Sequence, residues 1–212
     1  MHIIHRGIVN KNCKENNLKS FKASFKKNYS IETDIHLTKD NEFVCFHDFT
    51  LKRIFKINKS IKNLDYKVLK NISENKNEIP LLDDLLKLSK NKYYLFIEIK
   101  PLFKKNTLIK LINKTKKFKK CIFISFKEKN IYNLLKIKRT LKVGLSFAKG
   151  TNLKTILKKS KDKNINCIIL DKYFLNNKKI KKIKKKKYFY TIKKKSDFFK
   201  YNKKNNLIFE KR

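Results

Sequence analysis

The sequence lacks any long hydrophobic run. No apolar stretch in its 212 residues approaches the roughly 18 residues that a membrane-spanning helix needs. No apolar segment of a secretory signal precedes the first strand-like run, which begins at His2. We therefore expect neither a membrane span nor a secretory leader, and we expect a cytoplasmic location.

Closely spaced cysteines are also absent. The four cysteines lie far apart, with no C-x-x-C pair, and Cys45, Cys121 and Cys167 fall within apolar runs. Apolar surroundings are typical of buried, unreactive thiols. This pattern predicts free cysteines in a reducing compartment, in agreement with the expected location.

Arginine, glycine and proline are scarce in a chain that is strongly basic. The formal net charge is +40, yet only four of the 57 basic residues are arginine, beside 3 glycines and 2 prolines. A protein that reads phosphates or base edges uses the bidentate guanidinium more often. The abundant Lys, Ile, Asn, Phe and Tyr all have codons rich in A and T, so we favour a biased genome over a polyanion-binding role.

Two predictions about partners follow from the charge. We expect no specific nucleic-acid partner. Unscreened positive charge still attracts anionic groups, more weakly at high salt. We therefore expect a weak electrostatic association with anionic membranes, whereas the oligomeric state has no signal in the sequence.

Aromatic and aliphatic residues are plentiful and regularly spaced. Hydrophobic residues make up 41% of the chain, with 17 Phe and 9 Tyr, which is enough to form a core. Short, uniformly apolar runs alternate with segments of helical spacing, as in parallel sheets covered on both faces. Eight such runs are predicted as main strands: 2–6, 30–38, 93–99, 121–126, 141–147, 165–170, 188–192 and 207–209.

Eight strands that alternate with helices predict an α/β fold, a small (β/α)8 TIM barrel. We expect a single domain over residues 1–212, with no closing C-terminal helix after the last strand. The first half adds a helix over 15–27, a short extended run over 42–47, and a helix opened by Pro80. A polar insertion is predicted at about 48–78, after the second strand, and a solvated helix is predicted in the lysine-rich run 178–187.

Carboxylates occupy one face of two predicted strands. Glu32 and Asp34 alternate with apolar neighbours, and Glu98 and Lys100 share a face of the third main strand. Their apolar neighbours suit the helix side, so these charged groups point to the barrel axis. Oxygen ligands without paired cysteines or histidines suit a hard cation such as Mg²⁺ or Ca²⁺. The alternative is a structural ion-pair network around Lys100.

Two histidines end extended runs in the first half. His5 is followed by Arg6 and Gly7, and His47 is followed by Asp48. Histidine can pass protons near neutral pH, and arginine can clamp phosphate or carboxylate oxygens. Strand ends meet at one face of a barrel, so we expect these groups to meet the carboxylates there. His2 and His36 are interpreted as structural or rim residues.

The order of motifs resembles the glycerophosphodiester phosphodiesterase family over roughly the first 100 residues. These motifs are His5-Arg6-Gly7, Glu15-Asn16-Asn17, Ile31-Glu32-Thr33-Asp34, Leu37-Thr38-Lys39-Asp40-Asn41, Phe46-His47-Asp48 with Leu51 and Arg53, Ile79-Pro80-Leu81-Leu82, and Ile97-Glu98-Ile99-Lys100. Farther on, Tyr190 replaces a usual tryptophan, Lys193 replaces a usual asparagine, and the terminal acidic-proline signature is missing around Glu210.

The resemblance implies a TIM barrel that hydrolyses glycerophosphodiesters to sn-glycerol 3-phosphate and an alcohol, in lipid and glycerol metabolism. It implies one divalent cation, Mg²⁺ or Ca²⁺, held by Glu32, Asp34 and Glu98. It further implies His5 and His47 as the acid–base pair, and Arg6 and Lys100 as ligands of the substrate phosphate.

Two alternatives remain open from the sequence. Lysophospholipids at a membrane surface are a second substrate class, in a lysophospholipase D-type reaction. A degenerate barrel that binds polyanions through its lysines is an alternative of another class.

Overall fold

The computed structural model describes residues 1–11, 13–74 and 77–210. Their strands are β1 (Ile3–His5), β2 (Ser30–Leu37), β3 (Phe43–Cys45), β4 (Leu95–Ile99), β5 (Cys121–Ser125), β6 (Val143–Phe147), β7 (Cys167–Asp171), β8 (Lys186–Ile192) and β9 (Asn206–Phe209). The helices are α1 (Leu18–Lys26), α2 (Lys52–Phe55), α3 (Tyr66–Ser73), α4 (Leu82–Ser89), α5 (Lys105–Thr115), α6 (Glu128–Ile137), α7 (Leu153–Ser160), α8 (Lys178–Lys181) and α9 (Lys195–Tyr201).

All strands except β3 form a closed parallel barrel in the order β1-β2-β4-β5-β6-β7-β8-β9. The short strand β1 closes it by pairing with β2 on one side and with β9 on the other. The predicted (β/α)8 barrel is therefore confirmed, and each predicted main strand overlaps one parallel strand. The last described strand is β9, and residues 211–212 of the expected domain lie outside the described part.

The alternation of side chains along the strands separates two layers of apolar packing. Ile31, Ile35 and Ile97 point outward and pack against amphipathic helices such as α4, which buries Leu82 and Leu85. Inward-pointing apolar residues fill much of the barrel interior. This interior cluster consists of Ile3, Phe96, Ile122, Ile124, Cys167, Ile169, Tyr188 and Ile208.

The segment after β2 folds back over the barrel. Strand β3 runs antiparallel to the end of β2, with Cys45 beside Ile35. The predicted insertion at 48–78 contains α2, a short 3-10 helix and α3 over its own apolar cluster, which includes Leu51, Ile61 and Leu69. Residues 75 and 76 of this predicted insertion lie outside the described part.

Two predicted helix boundaries are wrong for local reasons. Helix α1 begins at Leu18 rather than at residue 15, because Asn16 has a left-handed φ of 51° and Asn17 caps the helix by accepting a hydrogen bond from the Lys19 backbone. In the lysine-rich run, α8 covers only Lys178–Lys181, because β8 already begins at Lys186. No helix among the described residues is long and apolar enough to cross a bilayer.

Candidate functional site

Three carboxylates from two adjacent strands meet at the upper end of the barrel interior. Glu32 and Asp34 point inward from β2, and Glu98 of β4 is paired in register with Asp34. One oxygen of each carboxylate lies within 4.8 Å of the others, and all three residues are buried. Oxygens on opposite sides of one Mg²⁺ or Ca²⁺ ion lie about 4–5 Å apart, so the spacing suits a single ion.

The positively charged side chains of Arg6 and Lys100 balance part of this negative charge. The Arg6 Nε atom lies 3.0 Å from Asp34 Oδ2, and Lys100 Nζ lies 2.8 Å from Glu98 Oε1 and 3.5 Å from Asp34 Oδ1. The ion-pair network that the sequence left as an alternative is thus present around Lys100. The structure places this lysine close enough to two of the three carboxylates to form ion pairs with both.

The pKa values of the carboxylates diverge because their neighbours differ. Burial, followed by repulsion from Asp34, raises the pKa of Glu98 to about 7. Burial and the charges of Asp34 and Glu98 also raise the pKa of Glu32 well above its ordinary value. Burial would raise the pKa of Asp34 as well, but attraction to Arg6 and Lys100 outweighs it and lowers this pKa to about 2.

The donor set fits a hard cation. All three candidate ligands are carboxylates, which Mg²⁺ and Ca²⁺ prefer. Glu32 Oε2 is buried, and no described residue donates a hydrogen bond to it. A buried carboxylate oxygen without a donor is costly, so a cation at this position would compensate it.

The loop after β1 places Arg6 over the carboxylates. Arg6 and Gly7 both have left-handed backbones, with φ values of 55° and 81°. A Cβ atom on residue 7 would lie 2.3 Å from Ser20 Oγ and 2.9 Å from the Ser20 backbone carbon. Glycine is therefore required here by both conformation and space, because α1 packs directly against the turn.

Asn16 positions Asp34 from the same loop region. Its side-chain amide donates a hydrogen bond to Asp34 Oδ2 at 3.1 Å and accepts one from the Thr33 hydroxyl at 2.7 Å. Its backbone N–H donates to the Arg6 carbonyl at 2.9 Å. The sequence motif contained Asn16 but did not indicate this role, which depends on the left-handed turn before α1.

His5 lies between two carboxylates that belong to opposite ends of the chain. Its Nε2 atom is 3.9 Å from Glu32 Oε2, and its Nδ1 atom is 3.5 Å from Glu210 Oε1. Burial lowers the pKa of His5, although Glu210 opposes that shift. Sequence reasoning missed Glu210, and only its position directly after the last strand could have indicated it.

His47 is held by a chain of charged groups. Its Nδ1–H donates to Asp48 Oδ1 at 2.6 Å, and Arg53 joins Asp48 to Glu15 by two short ion pairs. Glu15 Oε1 also lies 3.3 Å from Arg6 Nη1, so this series of ion pairs connects His47 to the loop after β1. Burial lowers the pKa of His47. Glu15 and Arg53 were quoted as motif residues, but their contact across 38 positions was not predicted.

One cavity of about 180 Å³ opens at the carboxyl ends of the strands. Six of the seven predicted site residues line it, and the seventh, Asp34, lies buried among them: the six are His5, Arg6, Glu32, His47, Glu98 and Lys100. The opposite wall comes from the second half of the chain and is apolar or aromatic except for Thr191: Ile124, Phe126, Ile169, Tyr190, Thr191 and Ile208.

The remaining two histidines are outside the cavity lining. His36 Nε2–H donates to the His47 carbonyl at 3.1 Å, and burial lowers the pKa of His36 to about 4. His2 packs edge-on against Phe198 and Phe209 near the start of β1. Both positions are those of structural residues.

A family comparison identifies the class of the protein. The model of the glycerophosphoryl diester phosphodiesterase family matches residues 5–208, which include all seven predicted site residues. The protein is thus an enzyme of the phosphoric diester hydrolase class. The chain belongs to the glycerophosphoryl diester phosphodiesterase family.

Solved structures agree with the barrel. A phosphodiesterase of Oleispira antarctica in complex with the product sn-glycerol-3-phosphate has a TM-score of 0.82 at 20% identity, over 99% of this chain and 92% of that one. The glycerophosphodiester phosphodiesterase of Thermotoga maritima has a TM-score of 0.78 at 21% identity, over 98% and 93%. The glycerophosphodiester phosphodiesterase of Parabacteroides distasonis has a TM-score of 0.79 at 20% identity, over 98% of this chain and 91% of that one. No curated protein matches the sequence.

Proposed function

We propose that this enzyme hydrolyses glycerophosphodiesters to sn-glycerol 3-phosphate and an alcohol by metal-dependent, histidine acid–base catalysis. The observation that carries the proposal is the convergence of two imidazoles, two cations and three carboxylates on one cavity. The product bound to the Oleispira antarctica phosphodiesterase supports a small glycerophosphodiester as the substrate.

The carboxylates Glu32, Asp34 and Glu98 would hold one divalent cation, Mg²⁺ or Ca²⁺. Such a cation neutralises phosphodiester charge and polarises the phosphoryl oxygens. Arg6 and Lys100 bind the non-bridging oxygens of the phosphate, because both line the cavity with a positive charge. Asn16 holds the Asp34 carboxylate in place through its hydrogen bond.

His5 and His47 move the protons. One imidazole accepts the proton of the nucleophile, which is either water or the glycerol hydroxyl next to the phosphate, and the other gives a proton to the leaving alkoxide, so one P–O bond breaks as another forms. Attack by the glycerol hydroxyl gives a cyclic phosphate, which water then opens to glycerol 3-phosphate. Burial lowers the pKa of both imidazoles, which favours the neutral form that the base needs, whereas Glu210 beside His5 and Asp48 beside His47 oppose this shift and favour the protonated form that the acid needs. Asp48 and Glu210 each face an Nδ1 atom and orient the Nε2 atom toward the cavity.

The proposal is tested with glycerophosphocholine as substrate and release of glycerol 3-phosphate as readout, with Mg²⁺, Ca²⁺ or a chelator. We expect loss of activity on chelation, and His5→Ala or His47→Ala should lower kcat by at least about 10²-fold. His2→Ala, which lies outside the cavity, is the matched control. Near-normal turnover of both catalytic variants would contradict the assignment of the pair.

Lysophospholipids are a second candidate substrate class. The apolar wall formed by Ile124, Ile169 and Ile208 favours a substrate with a hydrocarbon portion. Turnover of lysolipid micelles and of water-soluble headgroup diesters, measured side by side, separates the two classes. A polyanion-binding barrel without catalysis would instead bind RNA in a salt-sensitive manner and hydrolyse neither substrate.

We also propose a cytoplasmic location and a single catalytic domain over residues 1–212. All four cysteines are free, and three of them are buried, which supports a reducing compartment. The pairing of β1 with both β2 and β9 supports the single domain, because the first and last strands complete one sheet.

A further inference from the structure

Exposed apolar side chains gather around the mouth of the cavity. Of the seven large hydrophobic residues that are exposed in the described part of the chain, four lie outside the α-helices, in segments between the carboxyl end of a barrel strand and the next α-helix. They are Phe49, Leu102, Phe126 and Tyr173, each between 43% and 64% exposed. Single exposed apolar residues are ordinary, but a group around one opening marks an interaction surface.

Contacts link Phe49, Phe126 and Tyr173 to residues of neighbouring loops or strands, and Leu102 follows the cavity residue Lys100 by two positions. Lys127 Nζ, in the loop after β5, lies 5.3 Å from the centre of the Phe49 ring. Phe126 packs edge-on against Tyr190 of the cavity wall, with ring centres 5.6 Å apart. Lys149, after β6, lies 5.5 Å from the centre of the Tyr173 ring, after β7.

Four loops at this end of the barrel carry lysines, and one of these lysines, Lys193, lies 3.9 Å from the Glu210 carboxylate. The loops after β4, β5, β6 and β8 (residues 100–104, 126–127, 148–152 and 193–194) contain no acidic residue. Their exposed lysines are Lys104, Lys127, Lys149, Lys193 and Lys194. We call the four apolar residues and these five lysines the mouth surface.

We propose that the mouth surface docks this enzyme onto an anionic phospholipid bilayer. Aromatic side chains prefer the headgroup level of a membrane, and each lysine near an anionic leaflet adds attraction. Leu102 favours a bilayer over a nucleic acid, because an aliphatic side chain gains from hydrocarbon but offers no ring for base stacking.

Docking in this orientation turns the cavity toward the lipid headgroups. The barrel axis then stands across the membrane plane, and diesters at the surface reach the opening without passing through bulk water. This consequence for substrate access rests on the proposed function, whereas the docking itself does not.

The test measures binding of the full chain to vesicles of phosphatidylglycerol and phosphatidylcholine, with pure phosphatidylcholine for comparison, at physiological salt. Leu102→Ser combined with Tyr173→Ser removes apolar contacts that are outside the cavity lining. We expect this pair to weaken binding about tenfold. We expect Lys149→Gln to weaken it about fivefold.

The matched control is Phe199→Ser combined with Lys200→Gln in α9. Phe199 is 60% exposed, and Lys200 Nζ lies 5.4 Å from the centre of the Tyr201 ring, but both residues lie in the second half of an outer helix. The control variant should lose only the small part of vesicle binding that one lysine charge contributes. Equal losses in the control and mouth variants would overturn the proposal, because they would indicate diffuse lysine attraction.

Two further readouts separate the remaining outcomes. Absence of vesicle binding in the unaltered protein would overturn the docking proposal, as would a mouth variant that loses oligouridylate binding but retains vesicle binding. Turnover of glycerophosphocholine should be unchanged in Leu102→Ser/Tyr173→Ser, which also shows that the variant is folded. If no diester is hydrolysed while vesicle binding responds as expected, the docking holds and the proposed function fails.

Discussion

The two sides of the barrel interior have opposite chemistry at the same level. Strands β1, β2 and β4 present His5, Glu32 and Glu98, whereas β5, β7 and β9 present isoleucines. The change occurs between direct neighbours, since Glu98 pairs in register with Ile124. Buried charge is costly unless it is paired, so the charged side carries a cost in stability that the proposed function would explain, whereas apolar packing on the other side stabilises the barrel.

The charged side should respond most strongly to the loss of one charge. Asp34→Asn leaves Arg6 and Lys100 without their shared counter-ion, and we expect the free energy of unfolding to fall by about 4 kcal/mol. Urea unfolding measures this change. Asp197→Asn on α9 is the control, with an effect below about 0.5 kcal/mol. If both substitutions lowered the free energy of unfolding equally, the buried charges of the barrel interior would have no special role in stability.

The apolar side should lose stability by a different route. Ile169→Ala creates a void in the interior, and we expect a loss of about 3 kcal/mol in urea unfolding. The proposed catalytic groups lie outside β7, so kcat for glycerophosphocholine should change much less than in His47→Ala. A larger loss of kcat than of stability would show that this wall takes part in the chemistry.

On the charged side, ion pairs connect His47 through Asp48 and Arg53 to Glu15. Arg53→Gln disconnects Asp48 from Glu15, and the loosened imidazole should lower kcat about tenfold with little change in KM. Arg139→Gln is the control, because the Arg139 guanidinium donates to the Asn164 side chain at 3.3 Å and Arg139 precedes β6, at the end of the barrel opposite the cavity. A purely structural role of Arg53 would lower stability and leave kcat per folded molecule unchanged.

The smallest predicted effect concerns the repulsion among the carboxylates. Glu32→Gln removes one of three crowded negative charges, so the metal-free protein should gain about 1 kcal/mol of stability. We expect Mg²⁺ or Ca²⁺ to raise the Tm of the unaltered protein, and this rise should disappear in the variant. An unchanged response to the cation would exclude Glu32 as a ligand.

The sequence was informative where contacts follow from strand periodicity. The inward direction of Glu32, Asp34 and Glu98 follows from the period of two residues, and Gly7 follows from the tight turn after His5. The Glu15–Arg53 and His5–Glu210 contacts could not be predicted, because they depend on how a polar segment folds back and on barrel closure. The mouth surface escaped detection for the same reason, since its apolar residues are scattered from position 49 to position 173.

Closure of the barrel by β1 also determines when the site can form during synthesis. His5 lies beside Glu210, and the Met1 amino group donates a hydrogen bond to the Asn206 side chain. Strand β1 therefore completes its contacts only after β9 has been synthesised. At about 5–20 residues per second, a ribosome needs roughly 10–40 seconds between these two regions. A nascent chain therefore carries every motif of the first hundred residues long before it holds a finished cavity.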